Sequence, residues 1–180
     1  MPLKRLVTLM FILVGCGPGS TKEKGLALHA PEPRETIESG ALSIPVYDFD
    51  GLEPLLHLED GDTYIVNFWA TWCAPCVKEL PYMEQIQSDY KDRGLQVLLV
   101  SLDMPRMWDS HLVPFVKERN LKSHVVVLDD PSQNTWIPLV DQDWSGAIPA
   151  TLIYNREKRM FFEEAFSYER LNEVLSNFNL

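Results

Sequence analysis

The sequence predicts an α/β domain built on a central mixed β-sheet with helices on both faces. Nearly continuous apolar runs at residues 63–69 and 95–101 are typical of strands that are buried on both sides. Amphipathic segments of helical period alternate with such runs, and a short polar turn joins the last two predicted strands. Alternating strands and helices favour parallel pairing through right-handed crossovers, whereas a hairpin is antiparallel, so the sheet should be mixed.

The first half of the domain contains the two most strongly patterned strands and the longest helix. In chain order, the pattern predicts a short edge strand at 46–49, a short helix at 52–56, a buried strand at 63–69, a helix at 74–93 and a second buried strand at 95–101. Pro81 lies inside the long helical segment and should kink it, because proline removes one backbone donor. Gly94 should end that helix.

The second half completes the sheet and adds the last helix. The pattern predicts a helix at 112–119, a strand at 125–128, a short helix around Trp136, a strand at 151–154 and its hairpin partner at 159–163. Pro114 falls in the first turn of the first of these helices, where its missing donor has no effect. Ser167 should cap the amphipathic helix that closes the chain.

Composition excludes several classes of protein. The chain has 180 residues, of which 46% are hydrophobic, which is enough for a real core and too much for a disordered protein. Its 26 acidic and 16 basic residues give a net charge of −10, which argues against a nucleic-acid partner. Three cysteines are too few for a disulfide-stapled scaffold of this length.

Residues 1–15 resemble a bacterial signal peptide. Lys4 and Arg5 form a positive start, and the apolar run at 6–14 is too short to span a bilayer. The tetrapeptide Leu-Val-Gly-Cys that ends at Cys16 resembles a lipobox, in which the cysteine sulfur carries a lipid after cleavage. The alternative is an N-terminal core segment with an isolated cysteine.

The segment that follows is predicted to be a flexible tether. Residues 16–40 contain many glycines, prolines and charges, few large apolar side chains and no periodicity. We therefore expect a lipidated Cys16 and its tether to precede a folded domain at 41–180. Acyl chains on Cys16 would hold the protein on a membrane.

The chemistry is expected at the first strand-to-helix turn, in the sequence Trp72-Cys73-Ala74-Pro75-Cys76. Two cysteines three residues apart at a helix start lie on one face within disulfide reach, which is typical of a dithiol redox site. The helix N-terminus should lower the pKa of Cys73 below the free value of about 8.5 and make it the nucleophile. Cys76, one turn in, is then the resolving thiol.

Two alternatives compete with a dithiol site. A zinc site needs two further ligands at compatible spacing, but the chain has no second cysteine pair, and His57, His111 and His124 are scattered. An inert structural disulfide would close so short a loop that it would stabilise the fold poorly. We expect no metal and no cofactor beyond the Cys73–Cys76 pair.

Three motifs in the right order resemble the thioredoxin superfamily, and more closely its TlpA-like and ResA-like membrane-anchored branch. They are Asn67 to Cys76 (NFWATWCAPC), Lys78 to Met83 (KELPYM) and Trp144 to Thr151 (WSGAIPAT). The resemblance covers about 140 residues, from residue 41 to the end. It implies a thioredoxin-like fold, with Cys73 and Cys76 as the redox-active dithiol. The turn at 155–158 departs from the family pattern, which often has glycine there.

The resemblance also implies roles for residues around the dithiol. Trp72 would shield the nucleophile, and Pro149 would form a cis bond that faces the disulfide. The backbone of Ile148 would then pair with an extended substrate segment. A plain proline at a strand start is the alternative for Pro149.

Glu79 is the expected proton relay. Cytoplasmic thioredoxins have a buried aspartate where this chain has Asn67, which cannot exchange protons, whereas the TlpA-like and ResA-like branch has an acid at the position of Glu79. Cys73, Cys76 and Glu79 also step by three along one helical face, so the carboxyl can lie beneath the dithiol. The alternative is a solvated surface glutamate.

The function that follows is a thiol–disulfide oxidoreductase anchored by lipid on the periplasmic side of a bacterial membrane. The resemblance implies reduction of protein disulfides, with apocytochrome c as an example of a client and with a membrane electron donor of the DsbD or CcdA kind. Two alternatives stay open: a lipoprotein that binds partner strands without turnover, and a peroxide-reducing protein like the peroxiredoxins.

Overall fold

A seven-stranded mixed β-sheet forms the centre of the computed structural model, which describes residues 26–180 except for the side chains of Ala27 and Leu28. The strands are β1 (Glu35–Ser39), β2 (Leu42–Tyr47), β3 (Thr63–Trp69), β4 (Leu95–Ser101), β5 (His124–Leu128), β6 (Ala150–Tyr154) and β7 (Arg159–Phe162). Their spatial order is β1-β2-β5-β4-β3-β6-β7. Neighbours from β2 to β3 are parallel, and β1, β6 and β7 each join antiparallel to their neighbours.

Helices cover both faces of the sheet, as predicted. They are α1 (Leu26–His29), α2 (Phe49–Leu52), α3 (Ala74–Tyr90), α4 (Val113–Arg119), α5 (Gln133–Val140) and α6 (Tyr168–Leu175), with a 3₁₀ turn at Glu53–Leu56 and a π-helical turn at Trp108–Leu112. One core cluster joins α3, α4 and α6 to the sheet, and a second joins α2 and α5 to the opposite face. None of these helices, all within the described part of the chain, is long and apolar enough to span a membrane.

Strand β3 lies between β4 and β6 in the sheet and is buried along its whole length. Its side chains alternate between the two core clusters, with Ile65 and Trp69 on the α3 face and Val66 and Phe68 on the other. A strand buried on both faces needs apolar residues at every position, which explains the nearly continuous apolar run in the sequence. This strand delivers the turn that carries the two cysteines to the carboxyl edge of the parallel strands.

Helix α3 starts directly after that turn and is continuous over 17 residues although Pro81 lies inside it. A 3₁₀ turn, Lys91–Arg93, follows, and Gly94 ends the segment with φ of 79°. That left-handed conformation favours glycine and accounts for the predicted helix end. The Ser167 side chain caps α6 by accepting a hydrogen bond from the Arg170 N–H, also as predicted.

The N-terminal boundary of the domain differs from the prediction. Strand β1 lies inside the segment 16–40, which was expected to be a tether, so the sheet begins at Glu35 rather than after residue 40. The edge strand predicted at 46–49 is also wrong, because β2 runs over Leu42–Tyr47 between β1 and β5. Since β1 is itself the edge strand and mostly solvent-exposed, it needs little apolar character, and the sequence shows little. The predicted signal peptide, Cys16 and the first part of the tether lie outside the described residues.

Candidate dithiol active site

The two cysteines lie where β3 passes into α3. Cys73 is the N-cap of the helix, and its Sγ accepts a hydrogen bond from the Cys76 N–H at 3.3 Å. The N–H of Cys73 donates to the Ala70 carbonyl at 3.1 Å, which closes the turn that carries the pair. A disulfide joins Cys73 and Cys76, with an S–S distance of 2.01 Å. The predicted spacing therefore does bring both sulfurs to the start of the helix.

The two cysteines differ in their exposure to solvent. Cys73 is 6% exposed, whereas Cys76 is fully buried. Trp72, immediately before the pair, is the most exposed large aromatic side chain among the described residues, at 55%. Cys73 therefore keeps a small solvent-exposed area, whereas Cys76 has none.

A loop from the other side of the sheet faces the disulfide. The Ile148–Pro149 peptide bond is cis, as predicted, and the Ile148 carbonyl oxygen lies 3.6 Å from Cys73 Sγ. The loop precedes β6, which pairs antiparallel with β3 and so brings the cis bond to the edge where Cys73 lies. Sequence motifs about 75 residues apart thus meet at one sulfur atom.

Two further side chains hold this cis-proline loop in place. The Trp144 indole N–H donates to the Ala147 carbonyl at 2.8 Å, and the indole ring packs against Phe68 with 4.8 Å between centroids. The Glu163 carboxylate accepts from the N–H and the hydroxyl of Ser145, at 2.8 and 2.6 Å. The sequence pattern did not indicate a role for Glu163, whose partner is 18 residues away.

Glu79 is a buried carboxyl one helical turn beyond Cys76. Its side chain is only 1% exposed, which contradicts the alternative of a solvated surface glutamate. Asn67 Nδ2 donates to Oε1 and the Phe166 N–H donates to Oε2, both at 2.7 Å. Burial raises the pKa of Glu79 to about 7, and these two hydrogen bonds oppose that rise. The carboxyl can therefore gain or lose a proton near neutral pH.

Asn67 orients the Glu79 carboxyl from β3. Its Nδ2 also donates to the Thr151 hydroxyl at 3.0 Å, so one amide links α3, β3 and β6. Its Oδ1 is buried and has no partner among residues 26–180. An amide offers a donor on one side and an acceptor on the other, so rotating it by 180° would turn Oδ1 towards Glu79.

Within the described part of the chain, no group of three or more histidine, cysteine, aspartate or glutamate side chains could hold a metal ion. The histidines that were weighed as zinc ligands do not assemble around the cysteines.

Comparison with known proteins gives matches of three kinds. The model of the AhpC/TSA family matches residues 54–160. The thiol-disulfide oxidoreductase ResA of Bacillus thuringiensis subsp. konkukian (strain 97-27) is 32% identical over 123 residues, which are 68% of either chain. The ResA of Bacillus anthracis is 31% identical over 154 residues, covering 86% of this chain and 82% of its own.

Solved structures share the fold. A thiol:disulfide interchange protein of the thioredoxin family from Chlorobium tepidum TLS aligns with a TM-score of 0.55 at 21% identity, over 82% of this chain and 95% of its own. A secreted thiol-disulfide isomerase from Corynebacterium glutamicum aligns with a TM-score of 0.55 at 21% identity, over 79% and 77%. The predicted thioredoxin-like fold is confirmed.

Proposed function

Because this chain belongs to the AhpC/TSA family and is a ResA-like thiol–disulfide oxidoreductase, we propose that it reduces disulfides of client proteins through Cys73 and Cys76. The observation that carries the proposal is the unequal placement of the two sulfurs. Cys73 caps the helix and has an accessible edge, and Cys76 is buried directly behind it. A nucleophile needs access to the client, and a resolving thiol needs access only to the nucleophile.

The reduced dithiol attacks in two steps. The Cys73 thiolate, stabilised by the helix N-terminus and the Cys76 N–H, attacks one sulfur of the client disulfide. That S–S bond breaks, a mixed disulfide forms on Cys73, and the other client sulfur leaves as a thiolate. Cys76 then attacks Cys73 Sγ, which releases the second client thiol and leaves the Cys73–Cys76 disulfide. The client gains the two electrons that the dithiol loses. The proton that Cys76 releases and one proton from solvent balance the two client thiolates.

Glu79 acts in the second step. Cys76 must lose its proton to attack, yet burial disfavours a thiolate at that position. With its pKa raised to about 7 by burial, the Glu79 carboxyl is a suitable base at neutral pH. Asn67 and the Phe166 N–H hold it in place during the transfer.

The client segment lies between Trp72 and the cis-proline loop. The Ile148 carbonyl beside Cys73 Sγ offers a backbone acceptor to an extended chain, in the manner of an added strand. Pro149 has no N–H and therefore donates no backbone hydrogen bond beside Cys73. The exposed Trp72 ring covers apolar side chains of the client. Apocytochrome c is among the proposed clients, as the family resemblance of the three sequence motifs implies.

The location proposed for the enzyme is the bacterial cell envelope. Residues 1–15 act as a signal peptide, Cys16 carries the lipid, and the domain faces the periplasmic side, where a membrane donor of the DsbD or CcdA kind restores the dithiol. The lipobox-like tetrapeptide supports this placement. Cys16→Ser should give an unprocessed or soluble protein when cell fractions are compared. A processed Cys16→Ser chain that stays on the membrane would contradict it.

The two alternative functions have less support. If the protein only bound its partners without turnover, the intact Cys73–Cys76 pair at the helix start would have no role. A peroxide-reducing role is not favoured, because the curated relatives that match are thiol-disulfide oxidoreductases.

Trapping tests the proposed mechanism. Cys76→Ser removes the resolving thiol, so client proteins should accumulate as mixed disulfides on Cys73, detected by mass mapping. Cys73→Ser is the matched control and should trap far less. Capture of nothing by Cys76→Ser, while the wild type turns over insulin disulfides, would contradict the mechanism.

A further inference from the structure

Asp103 is a buried carboxylate that the steps above do not use. It lies just beyond the end of β4 and is 1% exposed. Carboxylates are rarely buried without compensation, because removing the charge from water is unfavourable. Among residues 26–180, no lysine, arginine or histidine nitrogen lies within 4.0 Å of it. Hydrogen bonds alone therefore stabilise this group.

Those hydrogen bonds are directed at the active-site turn. The N–H of Thr71 donates to Asp103 Oδ2 at 3.0 Å, and the Thr71 hydroxyl donates to Oδ1 at 2.5 Å. The Ser101 hydroxyl donates to Oδ2 at 2.8 Å. The Asp103 carbonyl accepts from the Trp108 indole N–H at 2.7 Å, which fixes the aspartate itself. Two of the three donors to the carboxylate thus belong to one residue.

Thr71 precedes Cys73 by two residues, in a part of the turn that the sheet does not hold. The β3–β4 ladder ends at the pair Trp69–Ser101, and the last backbone bond beyond it joins the Leu102 N–H to the Trp69 carbonyl at 2.8 Å. From there to the first turn of α3, hydrogen bonds to the Asp103 carboxylate connect the turn to the segment that follows β4. The position of Cys73 Sγ beside the Cys76 N–H and the Ile148 carbonyl depends on that turn.

We propose that Asp103 is a positioning residue for disulfide exchange. Its carboxylate accepts two hydrogen bonds from Thr71 and so holds reduced Cys73 at the helix N-terminus, in the position from which it attacks. The proposal rests on Cys73 being the nucleophile, as proposed above. In the oxidised protein the disulfide itself holds Cys73. When the disulfide is reduced, that constraint is lost, and the turn becomes the main determinant of where the thiolate lies.

The geometry and the charge of Asp103 have opposite effects on the pKa of the Cys73 thiol, so variants that separate the two can test the proposal. The negative charge of Asp103 disfavours a nearby thiolate, whereas its hydrogen bonds favour the thiolate by keeping it at the helix start. Asp103→Asn removes the charge but can keep the geometry. The amide oxygen would accept from the Thr71 N–H and the Ser101 hydroxyl, and the amide nitrogen would donate to the Thr71 hydroxyl oxygen. Asp103→Ala removes both charge and geometry.

The experiment measures the rate of Cys73 alkylation by iodoacetamide against pH in the reduced full chain, with mass mapping of the labelled residue. Asp103→Ala should move the midpoint of the profile to higher pH and slow labelling at pH 7 by about tenfold, since the thiolate loses a charge-assisted hydrogen bond. Asp103→Asn should stay within about threefold of the wild type or label faster. Equal midpoints for Asp103→Ala and the wild type would overturn the proposal, as would equal shifts for the two variants.

Three further variants complete the test. Ser101→Ala removes a buried hydrogen bond to Asp103 but leaves Thr71 bound, so it should lower stability without moving the Cys73 midpoint. Thr71→Val should slow labelling by about threefold, and Thr71→Ser, which keeps the hydroxyl, should not. If Asp103→Ala fails to fold, the two Thr71 variants test the proposal in its place. Identical Cys73 labelling rates for Thr71→Val and Thr71→Ser would then overturn the proposal. Faster labelling of Cys76 in the wild type would instead overturn the choice of nucleophile in the proposed function.

Discussion

Replacing Glu79 by glutamine should change how the stability of the oxidised protein depends on pH. In the folded protein, burial raises the pKa of Glu79 from its ordinary value of 4.5 to about 7. Between these two values the folded state holds a proton that the unfolded chain has released, so stability falls as pH rises through that window. The full loss, about 3 kcal/mol, is reached above pH 7. Glutamine does not titrate, so the stability of Glu79→Gln should not fall in this pH window.

The variant should keep its fold because its neighbours can adapt. The glutamine oxygen can accept from the Phe166 N–H, which cannot reverse its direction. The glutamine nitrogen can donate to Asn67 once that amide rotates and presents its unpartnered Oδ1. The Thr151 hydroxyl, which now accepts from Asn67, can turn to donate. The rotated Asn67 Nδ2 then takes the buried position in which Oδ1 had no partner, so the number of unpartnered polar atoms in this amide stays the same.

Urea unfolding of the oxidised protein between pH 4 and pH 8 measures the effect. The oxidised form is used because the disulfide removes both active-site thiols from the titration. The free energy of unfolding of Glu79→Gln, relative to the wild type, should rise by about 3 kcal/mol from the acidic to the basic end. Glu118→Gln, an exposed position on α4, is the matched control and should follow the wild type. Parallel curves for Glu79→Gln and the wild type would refute a buried, titrating carboxyl.

Three other substitutions test the surroundings of the dithiol. Glu163→Ala removes both hydrogen bonds to Ser145 and should slow exchange with insulin several-fold while affecting a small aromatic disulfide less, which parallel assays of the two substrates measure. Trp72→Ala should change the free energy of unfolding by less than about 0.5 kcal/mol, because the ring is exposed, but should raise KM for protein disulfides. Asn67→Asp introduced into Glu79→Gln should restore part of the lost exchange rate, since it supplies an acid from β3 at hydrogen-bond distance from position 79. No recovery in stopped-flow assays would show that a carboxyl at that place does not relay the proton.

The strands and helices that the sequence predicted best are those whose burial leaves a strong pattern. Strand β3 is buried on both faces and its residues are almost all apolar. Helix α3 begins within a Cys-x-x-Cys, and the 3₁₀ turn that follows it ends at a left-handed glycine. Strand β1 had no such pattern, because an exposed edge strand can be built from polar residues. Gly40, where the sequence predicts the end of the tether, instead forms the turn between β1 and β2 with φ of 68°.

In the site, contacts between residues close in sequence were predicted, and contacts between distant residues were not. The cysteines and the helix cap are close in sequence, so their spacing alone predicted their geometry. Asp103 and Thr71 are 32 residues apart, and Glu163 and Ser145 are 18 apart, and neither pair has a spacing that indicates contact. Only the order of the strands brings them together. The burial of Glu79 was predicted from the family resemblance. The three-residue spacing from Cys76 alone would fit a surface glutamate equally well.

The most direct test of the proposed direction of catalysis is the reduction potential of the Cys73–Cys76 disulfide, measured in defined glutathione or dithiothreitol redox buffers. A reductase must have a potential low enough to pass electrons to client disulfides, so the value should lie nearer to that of thioredoxin, about −270 mV, than to that of DsbA, about −120 mV. A potential near the second value would mark an oxidant and would contradict the assignment of this enzyme as a reductase of client proteins.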